Sequence, residues 1–560
     1  RIEAALNIIE SLRANVASSE LRSTFFASKQ DYYQFYIDLL MQRHDLDPAR
    51  GYDAVALHAS ERARARSLLD LLAEANADIR QGVNPTLLEQ ERQLQLQLDA
   101  IEKRRVALYS STPTAEQTAR LERERETLIS QYRELQGQIR ANSPKYAALT
   151  QPQPLTLEEI QQNILDDDTL LLQYSLGEER SYLWLVGKNS FSSYVLPPGR
   201  ELEAAARGFH QLLKNPRYNY RLRRSLIRVL SPESAEAVPQ ISQMLLGPVV
   251  EQLGNKRLVI VSDGALQYIP FAALPLPGTE DEQPVPLIAD REIVHLPSTS
   301  TLGVLRQERA GRTPAPKQIA LLGDPVFGPD DPRVTAEPPV ARGDGRDRGI
   351  DGLLLDRAAT TADVGLLRLP GTRREVEAIM ALVPEAQRSQ VFDFAANRDF
   401  ATREQLSQYR IVHLATHGIL NSTHPELSGV VLSLVDEGGN PQNGFLRLHD
   451  VFNLNLNAEL VVLSACQTGL GREVKGEGLV GLTRGFMYAG APGVLVSLWN
   501  VDDAATAEMM ARFYRLLLRE GKSAAAALRQ AQLEMRTETE WKSPFYWAAF
   551  TLQGEWQQFN

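Results

Sequence analysis

Two short apolar runs, each ending at a reactive side chain, constrain this chain more than any other feature. Ile411, Val412 and Leu414 lead into Thr416-His417-Gly418, and Leu460, Val461, Val462 and Leu463 lead into Ser464-Ala465-Cys466. Such runs read as strands of a parallel sheet that is covered on both faces. Open α/β sheets bind ligands just beyond the carboxyl ends of their strands. The histidine and the cysteine both fall there. A thiol needs a base to become a thiolate, and a neutral imidazole is such a base near pH 7. The backbone N–H groups of Gly418 and Cys466 are the candidate donors of an oxyanion hole. His413, four residues before His417, falls inside its strand and is read as structural.

Cys466 follows His417 by 49 residues, close to the separation of about 50 found in caspases. The segments HLATHG, VVLSACQTGLG, GEGLVGL, AGAPGVLVSLWNVDD and PFYWAAFTLQG resemble the CHAT family, caspase-like peptidases often fused to TPR repeats. The likeness runs in order across roughly residues 235–553. It implies a caspase-like α/β fold, a parallel-rich sheet flanked by helices, with His417 and Cys466 as a catalytic dyad. The spacing reaches the same pair without it.

With 560 residues, 43% of them hydrophobic, the chain can bury several cores, and three or four domains are expected. A net charge of −10 argues against a dedicated nucleic-acid binder. Cys466 is the single cysteine, so no intrachain disulfide can form, and a reducing cytoplasm is expected. No apolar run reaches the roughly 18 residues of a membrane span, so no membrane partner is expected. The chain opens at Arg1 inside a helical pattern without a signal peptide, and is read as part of a longer polypeptide.

Residues 1–84 read as a TPR-like helical region, with an ordinary bundle as the alternative. Within it a helix is expected over 52–79. Residues 85–150 read as an antiparallel, coiled-coil-like hairpin turning at Ser110-Ser111-Thr112-Pro113. Residues 157–315 read as a first α/β module. It holds His295 but no cysteine, and so is taken as a non-catalytic, caspase-like half. Residues 316–560 form the catalytic half, with 329–364 a mobile insertion rich in Pro, Gly, Asp and Arg. Thr372 with Glu375 three residues on predicts a capping box.

Other chemistries fit less well. GLGREVKGEG lacks the ending of a phosphate-binding loop, no G-x-S-x-G elbow closes a strand, and no HExxH supports zinc. No metal and no cofactor is expected. The reading is a cysteine endopeptidase acting on a protein substrate, latent until a regulatory protein binds the helical region. The alternative is a scaffold or adaptor that keeps the fold without the activity. A basic P1 residue is expected, held by Asp502 after strand GVLVSLW, or by Glu477 on the loop leaving the nucleophile. The competing role for Asp502 or Asp503 is a helix cap.

Overall fold

The computed structural model describes residues 1–14, 25–64, 68–69, 72, 83–109, 115–142, 153–214, 240–278, 285–335, 366–402, 404–419, 428–464, 472–474 and 478–557. Sixteen strands are found among them, eleven in one sheet. β1 (Thr169–Ser175), β2 (Ser181–Gly187), β3 (Ser190–Leu196), β4 (Arg257–Val261) and β5 (Ile293–His295) come first. β6 (Lys317–Gly323), β7 (Arg388–Val391), β8 (Tyr409–Ala415), β9 (His417–Ile419), β10 (Gly429–Val431) and β11 (Phe445–Arg447) follow. β12 (Leu460–Ser464), β13 (Arg472–Val474), β14 (Gly478–Val480), β15 (Gly493–Ser497) and β16 (Phe550–Gly554) complete the set. The large sheet runs β3-β2-β1-β4-β5-β16-β15-β12-β8-β6-β7. The caspase-like α/β class expected from the sequence is therefore what forms: a large parallel-rich sheet with flanking helices, and helices N-terminal to it.

Strand direction divides this sheet into two blocks. β1, β4, β5 and β16 are mutually parallel. β15, β12, β8, β6 and β7 are also mutually parallel. The blocks meet where β15 and β16 pair antiparallel, so their carboxyl ends face opposite edges. The last strand of the chain thus docks beside the first module and closes the seam. Gly554 makes this possible: it has φ of 99°, and a Cβ there would sit 2.0 Å from the Pro492 carbonyl oxygen. That conformation is costly for any residue but glycine.

The inner strands are apolar on both faces because helices cover both. All five residues of β12 and of β15 are buried. Each fully buried Val or Leu contributes roughly 2 kcal/mol. Helices Asp503–Tyr514 and Ala524–Glu538 are two of the covers. Asp502 Oδ1 accepts from Ala505 N–H at 2.9 Å and starts the first. Ser523 Oγ accepts from Ala526 N–H and starts the second.

The N-terminal helices pack directly on the first block. Gln30–Leu46 and Tyr52–Arg62 share one core with β1, β2 and β4. Gln34 Nε2 donates to the Leu176 carbonyl at 2.8 Å, and Gln173 Nε2 donates to Ser60 Oγ at 3.1 Å. The buried Glu61 carboxylate accepts from Ser300 N–H at 2.8 Å, where it meets the positive end of helix Thr299–Arg309. The helix expected over 52–79 breaks after Arg62, and Leu68, Leu69 and Leu72 beyond the break are helical again. Arg64 is pulled onto the sheet edge, donating to the Ser262 and Tyr174 carbonyls. Residues 65–67, 70–71 and 73–82 lie outside the described residues. Helices Pro85–Tyr109 and Ala115–Ala141 pair antiparallel: Leu98 meets Ile129, Arg104 meets Glu124 at 2.6 Å, and Val83 meets Leu135 and Ile139. No helix among the described residues is long and apolar enough to cross a membrane.

Candidate active site

β8 and β12 lie side by side, parallel, and pair through Ala415 and Ser464 as their last register partners. The chain then turns out of the sheet at Thr416. Its N–H donates to the Ser464 carbonyl at 3.3 Å, and its hydroxyl donates to the Val431 carbonyl. His417 follows at once and starts β9, paired with Val431 in the small β11-β10-β9 sheet. It therefore follows the carboxyl end of β8, as expected, and also begins a strand of its own. Gly418 faces Val430 across the same ladder. The imidazole is partly exposed. Its Nε2 lies 2.7 Å from the Leu367 carbonyl oxygen, and its ring is 5.0 Å from that of buried Phe327. Cys466 and Glu477 lie outside the described residues, which resume with Arg472–Val474 and Gly478–Val480 as a two-stranded hairpin.

Beneath these strand ends lies a buried polar layer. His413 is fully buried, its Nδ1 3.0 Å from Tyr514 Oη and its Nε2 3.0 Å from Glu375 Oε1. The Glu375 contact lies off the line of a straight hydrogen bond. Ser464 Oγ donates to Glu375 Oε2 at 3.0 Å. Burial raises the Glu375 carboxyl above the ordinary range, with His413 and Ser464 opposing the shift. Burial likewise lifts the Tyr514 phenol, keeping it protonated as a donor. His413 is thus the structural histidine expected. The capping box expected at Thr372 does not form. Helix Pro370–Met380 begins one turn earlier than that box requires, with Leu369 at its N-cap. Thr372 Oγ1 donates to the Leu369 carbonyl, and Glu375 turns inward to the histidine.

Asp502 and Asp503 follow β15, which runs beside β12 as expected. Asp502 is exposed and carries the helix cap. Asp503 Oδ2 accepts from Gly371 N–H at 2.6 Å, and burial raises its carboxyl above the usual range. Both carboxylates therefore serve structural roles.

A further acidic centre, which sequence reasoning missed, lies at the end of β6. Asp324 is 1% exposed. Arg368 holds it with two bonds, Nε to Oδ1 at 2.9 Å and Nη2 to Oδ2 at 2.7 Å. Arg373 Nε reaches Oδ2 at 2.7 Å, and Arg333 Nη1 lies 3.1 Å from Oδ1. Asp393 joins through Arg333 at 2.7 Å and Arg373 at 2.6 Å. Asp324 and Asp393 are the non-glycine residues with positive φ among the described residues, 49° and 53°. Left-handed backbone at non-glycine positions is uncommon and gathers at functional sites. Residues 329–335 of the expected insertion are described, and Arg333 ties them to Asp324 and Asp331. The rest of it, 336–364, lies outside the described residues.

Residues 235–555 match the family model described as CHAT domain. A stretch of 111 residues is 42% identical to tetratricopeptide repeat protein 28 of Mus musculus, covering 20% of this chain and 4% of that protein. A stretch of 119 residues is 39% identical to its Homo sapiens counterpart, covering 21% of this chain and 5% of that protein. The match therefore spans about a twentieth of those relatives. Among solved structures, the Saccharomyces cerevisiae separase–securin complex aligns over 99% of this chain and 44% of its own, at 9% identity and a TM-score of 0.46. The Arg-specific cysteine proteinase gingipain R aligns over 59% and 70%, at 12% identity and a TM-score of 0.34.

Proposed function

Because the chain belongs to the CHAT domain family, we propose that it is a cysteine endopeptidase in which His417 is the base and Cys466 the nucleophile. The observation that supports this is the β8–β12 register. Its last pair, Ala415 and Ser464, stands two residues short of His417 and of Cys466 respectively. Parallel strands advance in step, so equal offsets favour two side chains at one sheet edge. In the proposed reaction His417 takes the thiol proton and the thiolate attacks the scissile carbonyl. The N–H groups of Gly418 and Cys466 would hold the oxyanion. The protonated imidazole then gives its proton to the leaving amine, and water hydrolyses the acyl-enzyme. The substrate is a protein, cut beside a basic residue, for which Asp502 and Glu477 are the candidates read from sequence. A regulatory protein acting through residues 1–150 relieves latency. A cytoplasmic location and the division into a silent 157–315 half and a catalytic 316–560 half belong to the same proposal.

A second reading is a scaffold that retains the fold. One observation favours it: the His417 Nε2 contact to a main-chain carbonyl at 2.7 Å, where a working base must instead meet its thiol. Alkylation of Cys466 against pH separates the two. An activated thiol reacts fast at near-neutral pH and slows when His417 is replaced by Ala, whereas an inert thiol reacts slowly in both chains.

A further inference from the structure

Leu366–Arg368 crosses the sheet edge in front of His417 and is held there at successive residues. Leu366 packs on the small apolar cluster of Phe327, Val431, Leu434 and Phe445. The Leu367 carbonyl meets His417 Nε2, while Leu367 itself is 66% exposed. The Arg368 guanidinium forks onto the buried Asp324 carboxylate. Three residues on, Gly371 N–H is fixed by Asp503.

The three arginines around Asp324 are not equivalent. Arg333 and Arg373 each also bind Asp393, and their side chains are 16% and 29% exposed. Arg368 binds Asp324 and its side chain is 37% exposed. Asp324, Asp331 and Asp393 balance the three guanidiniums with Arg368 in place. Without it the cluster keeps one surplus negative charge, in a position already shaped for a planar, bidentate cation. Arg368 can therefore leave without stranding a carboxylate, and what it vacates is a receptor for another basic side chain.

We propose that Leu366–Arg368 occupies the substrate cleft in cis, and that Asp324 is the subsite where an incoming basic residue displaces Arg368. This rests on the peptidase reading and gives its latency a physical cause. While the latch is closed, Leu367 holds the imidazole by hydrogen bonding and Arg368 fills the cation subsite. Release exposes both together, because they are adjacent residues on one stretch. A ligand that shifts such an equilibrium must bind the open form better, which a basic substrate does by taking Asp324.

The test is Arg368→Ala in the full chain, with two readouts. Carbethoxylation of His417 by diethyl pyrocarbonate reports the latch whether or not the chain is a peptidase. Hydrolysis of an arginine-containing peptide reports activity. Loss of a partly exposed bidentate pair should raise both rates about tenfold, and Arg368→Lys should fall between. The peptide Ac-Leu-Leu-Arg-Leu-NH2 should restore protection of His417 in the Arg368→Ala chain. Unchanged His417 labelling in Arg368→Ala, or no protection by the peptide, overturns the latch. Faster labelling without hydrolysis supports the latch and overturns the peptidase reading.

Discussion

His295 lies on β5, one strand inside the seam, as the register partner of Gln553 on β16. Its ring packs edge-on to Phe271, with centroids 5.9 Å apart. Burial pushes its titration from the ordinary 6.5 down to about 4, against a smaller opposing effect of the Leu552 backbone. The unfolded imidazole binds a proton below about 6.5, and the folded one only below about 4. Between these values the unfolded state holds more protons, so stability falls as pH falls through the window. It is fully present above about pH 6.5. For these two values the loss between pH 7 and pH 5 is about 2 kcal/mol. Other groups also weaken the fold on acidification, Glu555 and Asp393 among them, since their ion pairs hold their carboxyls below the usual range. His295→Phe isolates the imidazole. Urea unfolding of both chains at pH 7 and pH 5 should show the wild type losing about 2 kcal/mol more than the variant. Any fixed packing cost of phenylalanine cancels in that difference. Equal losses in the two chains would refute the buried, neutral imidazole.

Cys466→Ala and His417→Ala should each abolish peptide hydrolysis, and the double variant should be no worse than either, because the pair acts as one unit. An uncleaved single chain should be competent, since Gly493 follows Cys466 by only 27 positions and the stretch between includes helix Leu482–Tyr488; gel analysis of active protein would show a cut there if one were needed. Asp502→Ala should lower stability by about 1 kcal/mol in urea titration through loss of the cap. Its effect on cleavage after Arg against Met separates a pocket role from the capping role. Glu61→Ala should cost about 1–3 kcal/mol by leaving the start of helix Thr299–Arg309 without its buried acceptor, read by thermal or urea unfolding.

The strands of the second block were legible because burial on both faces leaves one pattern, short runs of Val, Ile and Leu cut by small or polar residues. The turn at Glu437–Asn440, between β10 and β11, is locally encoded for a different reason. Glycine at 439 takes φ of 75°, and Asp436 Oδ1 accepts from Gly438 and Asn440 N–H groups. What sequence pattern could not supply was the pairing of distant strands. Nothing local in Phe550–Gly554 says that it will lie between β15 and β5, antiparallel to one and parallel to the other. The break after Arg62, inside the helix expected over 52–79, was missed for a related reason. The continuing helical pattern is overridden at Arg64 by contacts with residues 110 and 198 positions away.

The site divides along the same physical line. His413 and His417 could be told apart because the first falls inside an apolar run buried on both faces and the second falls after that run breaks at Thr416-His417-Gly418. The aspartates at 502 and 503 could be marked as a cap but not assigned individually, since either can precede a helix. Asp324 gave no signal at all, because a GDP tripeptide after a strand reads as an ordinary turn. Its importance comes from three arginines that lie 9, 44 and 49 residues further on. The contact to His417 is harder still to foresee, since its acceptor is the main-chain carbonyl of Leu367. Every residue carries such a carbonyl, so no choice of side chain announces it. A sequence can therefore nominate residues for chemistry, while main-chain contacts to them are found only where the fold has brought the backbone to rest.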